Sequence, residues 1–303
     1  MRTMLRFSVS VLMVSAVAAC ATTGVNRATP ATLAADSAIR AALSIEARID
    51  PAAFPAASVG VLPLRVAASD STLAPLGYGL AELIMTDLAR SRQIVVVDRL
   101  RIQALLRELR LVATGVTDPA GGPRLGRILG ARHLMLGSLA QEDVARFRVD
   151  ANLARTEDAS VSAIVTGAAS LDDIFDAQKG LVFRTFEALG VTLTPAERAA
   201  IEQRPTRNLA ALLAFSRGVQ DEAELRLPEA RREYYEALRL DRAFRLARDR
   251  VNSIDAFVPD TRNVATITAS GINSRQPRTL SDITDPAFSG RHPAILVIPI
   301  TVR

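Results

Sequence analysis

The sequence predicts an α/β fold: a mixed sheet flanked by helices, then a small helical segment and a C-terminal strand. Three observations predict it. From Ser58 to Leu139, short apolar runs alternate with stretches whose apolar residues recur at helical spacing. From Arg146 to Val165 the period changes to two, the mark of strands with one solvated face. From Thr194 to about Phe257 the pattern is helical throughout.

The N-terminus reads as an export signal. Arg2 and Arg6 precede an apolar run, Phe7 to Val17, interrupted only by serines. That run is shorter than the roughly 20 residues a membrane-spanning helix needs, and has the length of a signal-peptide core. Val17-Ala18-Ala19-Cys20 closes it and looks like a bacterial lipobox. In such signals the cysteine thiol takes a diacylglyceryl group and becomes the first residue after cleavage. Cys20 is the one cysteine in the chain, which excludes an internal disulfide framework. The expected lipidation residue is therefore Cys20, the alternative being an ordinary signal in which it is incidental. Two or more acyl chains anchor stably where one does not. Ala21, not aspartate, follows the cysteine; by resemblance to the Gram-negative sorting rule this implies the outer membrane, facing the periplasm.

The domain reading follows: residues 1–19 signal, 20–57 tether, 58–192 α/β domain, 193–258 helical segment, 259–293 flexible linker, 294–303 C-terminal strand. The tether is rich in alanine and threonine, with a helix near Leu33–Arg48, and Pro51 and Pro55 punctuate its end. Ser58 to Val66 begins a buried strand through Val59, Val61, Leu62 and Leu64. After Pro75, Leu76, Leu80, Leu83, Ile84 and Leu88 make a helical stripe. Ile94 to Val97 is continuous and β-branched, the pattern of a central strand. A helix through Ile102, Leu105, Leu106 and Leu109 carries arginines on its other faces. The glycine-bearing loop Thr114 to Pro123 leads to a short helix ending at Gly130, then to a strand, His133 to Leu139.

Phe147, Val149, Ala151 and Leu153 alternate with Arg146, Arg148, Asp150 and Asn152. Val161, Ala163 and Val165 repeat the alternation after a turn at Thr156–Asp158, which makes an antiparallel hairpin. A helix from about Asp172 to Leu189 follows, with Ser170 placed to cap it and Asp172 and Asp173 at the positive end of its dipole. Thr194-Pro195-Ala196-Glu197 is a capping box with proline in the first helical position. Beyond Val258 the composition turns to Thr, Ser, Asn and Pro, until Ala294 to Val302 gives a clear strand signal. Pro299 suits an edge strand, and we expect Ile295 to Val302 to return and extend the sheet. Pairing with another protein or a second copy is the alternative.

An apolar share of 49% suffices for a core, and the formal charge of +5 loses two units when Arg2 and Arg6 leave with the signal. Lys179 is the one lysine among many arginines, a bias that fits a GC-rich genome better than a nucleic-acid surface. No RNA-binding aromatic motif is visible, and His133, His292 and Cys20 do not make a zinc set. No cofactor is expected. Gly77-Tyr78-Gly79 invites a dinucleotide reading, but Glu82 stands where the fingerprint needs glycine, and close packing at a helix start explains the pair better. Ser138 follows Gly137 without the G-x-S-x-G elbow and reads as a packed strand serine. Asp172 and Asp173 read as helix caps, and His133 as a rim residue. No catalytic set assembles, so the chain is expected not to be an enzyme.

Several runs carry a resemblance in their order and spacing. They are Val59 to Leu64, Leu76 to Ala81, Val96 to Arg99, then Ile102, Leu105-Leu106 and Glu108, and finally Leu129 to Ser138. The set resembles the CsgG/TolB-N-terminal-like superfamily of bacterial envelope lipoproteins over roughly residues 58 to 192. This implies a nucleotide-free α/β domain used for assembly or protein contact. The family's curli secretion channel inserts long hairpins into the outer membrane. Barrel strands need roughly 9–11 residues and aromatic girdles, whereas aromatics are 4% of this chain. Downstream, Gly218, Ala230, Tyr234 and Ala237 are spaced as in a tetratricopeptide repeat, although Arg242 replaces its terminal proline and the early aromatic is absent. A single repeat cannot bury its own face and must pack elsewhere. The resulting expectation is a lipid-anchored periplasmic scaffold or assembly factor of the envelope, with an unidentified envelope protein or a second copy as partner. The alternative is a component of an oligomeric secretion channel.

Overall fold

The computed structural model describes residues 29–109, 121–143, 146–171 and 173–257. The signal, Cys20, Asp172, the linker with His292 and the C-terminal strand lie outside the described residues.

The helix expected near Leu33–Arg48 forms, and its packing corrects the tether around it. Residues 30–57 are not a free connection: α1 (Pro30–Ser44) is a packed helix, followed by a 3-10 turn at Glu46–Arg48. Thr29 accepts the Thr32 N–H at 3.1 Å and Pro30 occupies the first turn, so the start is capped. Ala35, Ile39 and Ala42 fall on one face and bury against Leu105, Leu106 and Leu129. Alanine, the best helix former, also lets α1 approach its neighbours closely, which turns the expected helix into a packed element.

The sheet runs β3-β1-β4-β5-β6, with β2 pairing β4 beside β1. β1 (Ser58–Val61) is fully buried and parallel to β3 (Val95–Val96) and β4 (His133–Gln141). Pro63 lacks the N–H a ladder needs, and the expected single strand splits there. It resumes as β2 (Arg65–Ala67), parallel to β4 at Ser138 to Ala140. β3 corrects another expectation: it is a two-residue edge strand, not a central one. Ile94 and Val97 at its ends are buried. A β-branched run reports burial by neighbouring elements, which an edge strand can also have.

The hairpin forms as expected. β5 (Arg146–Arg155) is antiparallel to β4 and to β6 (Val161–Ser170). Phe147, Val149, Ala151 and Leu153 are buried, while Arg146 and Arg148 are exposed. Period two in sequence thus became one covered face and one solvated face.

Two apolar layers sandwich the sheet. On one side α3 (Arg99–Glu108), α4 (Gly122–Leu129) and α1 cover Leu62, Leu134, Leu136 and Ala154. Gly130 ends α4 at φ 75°, the left-handed conformation glycine tolerates. On the other side lie α2 (Leu76–Leu88) and α5 (Ile174–Ala188), over Val59, Val61, Met135 and the inward residues of β5. That layer continues without a break into the helices α6 (Pro195–Glu202), α7 (Leu209–Ala223), α8 (Leu227–Leu240) and α9 (Arg245–Phe257). Thr194 and Glu197 close the anticipated capping box at the start of α6. No helix among the described residues is long and apolar enough to cross a membrane.

Candidate functional site: the seam between sheet and helices

The contact between α2 and α7 is made by a missing side chain. A Cβ on Gly79 would sit 1.8 Å from Ser216 Oγ on α7. Two residues earlier, a Cβ on Gly77 would meet the Leu64 carbonyl oxygen at 1.9 Å. The glycine pair therefore serves close packing on two sides, as its position at a helix start suggested. Gly218 does the same for α7 against α8, where a Cβ would come 2.5 Å from the Tyr234 ring. Ala230, Tyr234 and Ala237 are fully buried there, and Phe215 lies 5.6 Å from Tyr234 and 4.9 Å from Phe244, centroid to centroid. The four positions with repeat-like spacing thus meet at one helix–helix contact.

A buried charge network lies at the same seam. Arg99, the first residue of α3, is aimed by the Asp98 cap, whose carboxylate accepts the Leu100 N–H at 2.6 Å. Arg99 Nη2 donates to Glu222 Oε1 on α7 at 2.9 Å, and Nη1 lies 2.9 Å from Oε2 with poorer alignment. Arg99 Nε is 3.6 Å from Glu82 on α2, and Glu82 also pairs with Arg250 on α9. The Tyr234 hydroxyl donates to Glu222 at 2.6 Å. Two guanidiniums and two carboxylates therefore balance, on four helices, with Arg99 and Glu222 only 14% and 12% exposed.

Burial alone would push the Glu222 carboxyl up; Arg99 and Arg250 outweigh it and hold the group down at about 2. Burial disfavours the charged Arg99 too, yet Glu222 and Glu82 raise its pKa above the ordinary arginine value. Burial and the Glu222 charge push the Tyr234 phenol well above its usual range, so it acts as a donor. The arrangement fixes one helix set against another. Removing one partner of such a pair strands the other charge, which costs roughly 3–5 kcal/mol.

A second buried pair joins α2 to α5. Lys179 Nζ is 2.6 Å from Asp87 Oδ2, and the Gln178 amide donates to the same oxygen at 2.9 Å. Burial raises the Asp87 pKa despite these donors. The chain's one lysine is thus structural and inaccessible.

The residues singled out from the sequence do not converge. His133 sits half-buried at the start of β4, and burial together with Arg155 lowers its pKa. Ser138 lies within β4 opposite Asp150. Asp173, not Ser170, is the N-cap of α5 and makes no side-chain cap bond; Ser170 ends β6, its hydroxyl donating to the Asp173 carboxylate at 2.7 Å and its Oγ accepting the Asp173 N–H at 3.2 Å. Among the described residues, no group of three or more His, Cys, Asp or Glu side chains is placed to hold a metal. Sequence reasoning missed the seam network. Glu82 entered only as a departure from a glycine fingerprint, and Arg99 only within a family-like run. Nothing in linear spacing links positions 82, 99, 222 and 250.

Residues 60–146 match the family model for the curli production assembly/transport component CsgG. This part of the α/β domain is similar to CsgG. The match runs from β1 to the first residue of β5, well under half of the chain. The match takes in α2 and α3 of the seam but does not extend to β6 or to the helices α5 to α9. A crystal structure of lipoprotein GNA1162 from Neisseria meningitidis aligns with 46% of this chain and 99% of that chain. Its identity is 16% and its TM-score 0.26, too distant a likeness to build on. No curated protein matches the sequence.

Proposed function

We propose that the chain is a lipid-anchored periplasmic scaffold or assembly factor of the bacterial envelope, acting through protein–protein contacts and not as an enzyme. The observation that carries the proposal is the seam: a domain with a CsgG-like part clamped to the helices α7 to α9 by a neutral, buried ion network and a shared core. A clamp of this kind holds α8 and α9 as a fixed surface for a partner. Their outward side presents Tyr235, 44% exposed, with its hydroxyl donating to Asp255 on α9 at 3.1 Å. A half-exposed tyrosine with a polar tip is the residue type that interfaces favour. The lipobox-like segment ending at Cys20 supplies the anchor, with the outer membrane as destination.

The second reading, a secretion-channel component, is favoured by the assembly/transport description of the matching family. Planar-bilayer recording on the purified full chain separates the two. The scaffold reading expects no unitary conductance steps. Discrete, reproducible steps would transfer the assignment to the channel.

A further inference from the structure

We infer that β6 is the docking site for the chain's own residues 294–302, which cap the sheet as an added edge strand. Among the described strands three have an open edge, β3, β6 and β2, and β2 is only three residues long with Arg65 exposed at its start. β3 pairs over two residues and is flanked by Arg92 and Arg99, so it offers little to a further strand. β6 is ten residues long, and no described residue pairs with its outer edge. From Val161 to Ser170 it contains no charged residue and no proline, the devices that keep an open edge from pairing. One bulge, opposite Val149/Asp150, interrupts its pairing with β5. Its first three residues are exposed, and Val161 at 41% is among the few exposed large apolar side chains described.

Residues 294–302 lie outside the described residues, and their sequence complements this edge. The segment is close to β6 in length and equally free of charge. Alternate residues of a strand send their N–H groups to opposite edges. Pro299 has no N–H, so the proline parity, Ile295, Val297 and Thr301, belongs on the outer edge. Leu296, Ile298, Ile300 and Val302 then donate to β6, with their side chains together on one face. All four are apolar, and α5 packs across β6 and β5 on the covered face of the hairpin. The new outermost strand carries a proline where β6 has none, which ends pairing there. Residues 258–293 supply on the order of 100 Å of extended chain, ample to return from the end of α9.

Hydrogen exchange on the full chain in mild detergent tests this, with a truncation after Arg291 as comparison. Amides of residues 161–170 are expected to be protected in the full chain and to exchange at least tenfold faster in the truncated one. A synthetic peptide of residues 292–303 should restore protection. Leu296→Pro should mimic truncation, whereas Val297→Pro, on the outer parity, should retain most of the protection. Protection of residues 161–170 that is unchanged by truncation would overturn the assignment. Protection that rises with protein concentration alongside a dimeric mass would also overturn it, in favour of a second copy on the same edge.

Discussion

Glu222 accepts from Arg99 and from Tyr234 while nearly sealed from water, so its charge is held by geometry and not by solvent. Glu222→Gln leaves Arg99 with weaker compensation and should destabilise the protein by about 3 kcal/mol, read as a lower midpoint in urea. The pH dependence has a definite sign. The carboxyl titrates near 4.5 in an unfolded chain and is held at about 2 in the fold. Its contribution is complete above pH 4.5 and is lost as pH falls through 2. The wild-type melting temperature should therefore drop across that window more steeply than that of Glu222→Gln. Gly79→Ala belongs to the same scale. The added methyl collides with Ser216, an overpacking cost of about 1–3 kcal/mol. Ser216→Ala should relieve only part of it, because Ser216 Cβ itself lies 2.8 Å from the new atom.

At the scale of elements, what the sequence made legible was whatever one element's periodicity encodes. Phe147 to Leu153 alternates because one face of β5 is covered, and the structure covers that face. Thr194 and Glu197 form their box because capping is local. The failures are non-local. Ile94 to Val97 could not show which side of β1 it would take, and the helix expected near Leu33–Arg48 gave no sign of the surface on which Ala35, Ile39 and Ala42 would pack. The seam network joins positions more than 160 residues apart, and only the packing of α7 and α9 on α2 and α3 brings them together. The helical segment depends on that packing. Phe215, Tyr234 and Phe244 belong to the same apolar layer as Leu80 and Ile84. An isolated fragment from Thr194 to Phe257 should melt without a cooperative transition by circular dichroism. A sharp transition would show that the helices close a core of their own.

At the scale of the whole molecule, α1 limits how far the folded body can stand from the membrane. If Cys20 carries the lipid, nine residues separate it from Pro30, at most about 35 Å of extended chain. Cys20→Ala should move the protein to the soluble fraction, and the variant should not pellet with outer membranes after a high-salt wash. The surface that α8 and α9 present should then be the part that meets a partner. Amine-reactive cross-linkers suit this chain poorly, since its one lysine is buried against Asp87. A photo-reactive amino acid at Tyr235, irradiated in intact envelopes, tests the scaffold claim most directly. A discrete adduct with a different envelope protein, weakened when Arg99→Ala loosens the seam, is the result the scaffold predicts. A ladder of adducts with further copies of this chain alone, as in a ring-shaped channel, would contradict it.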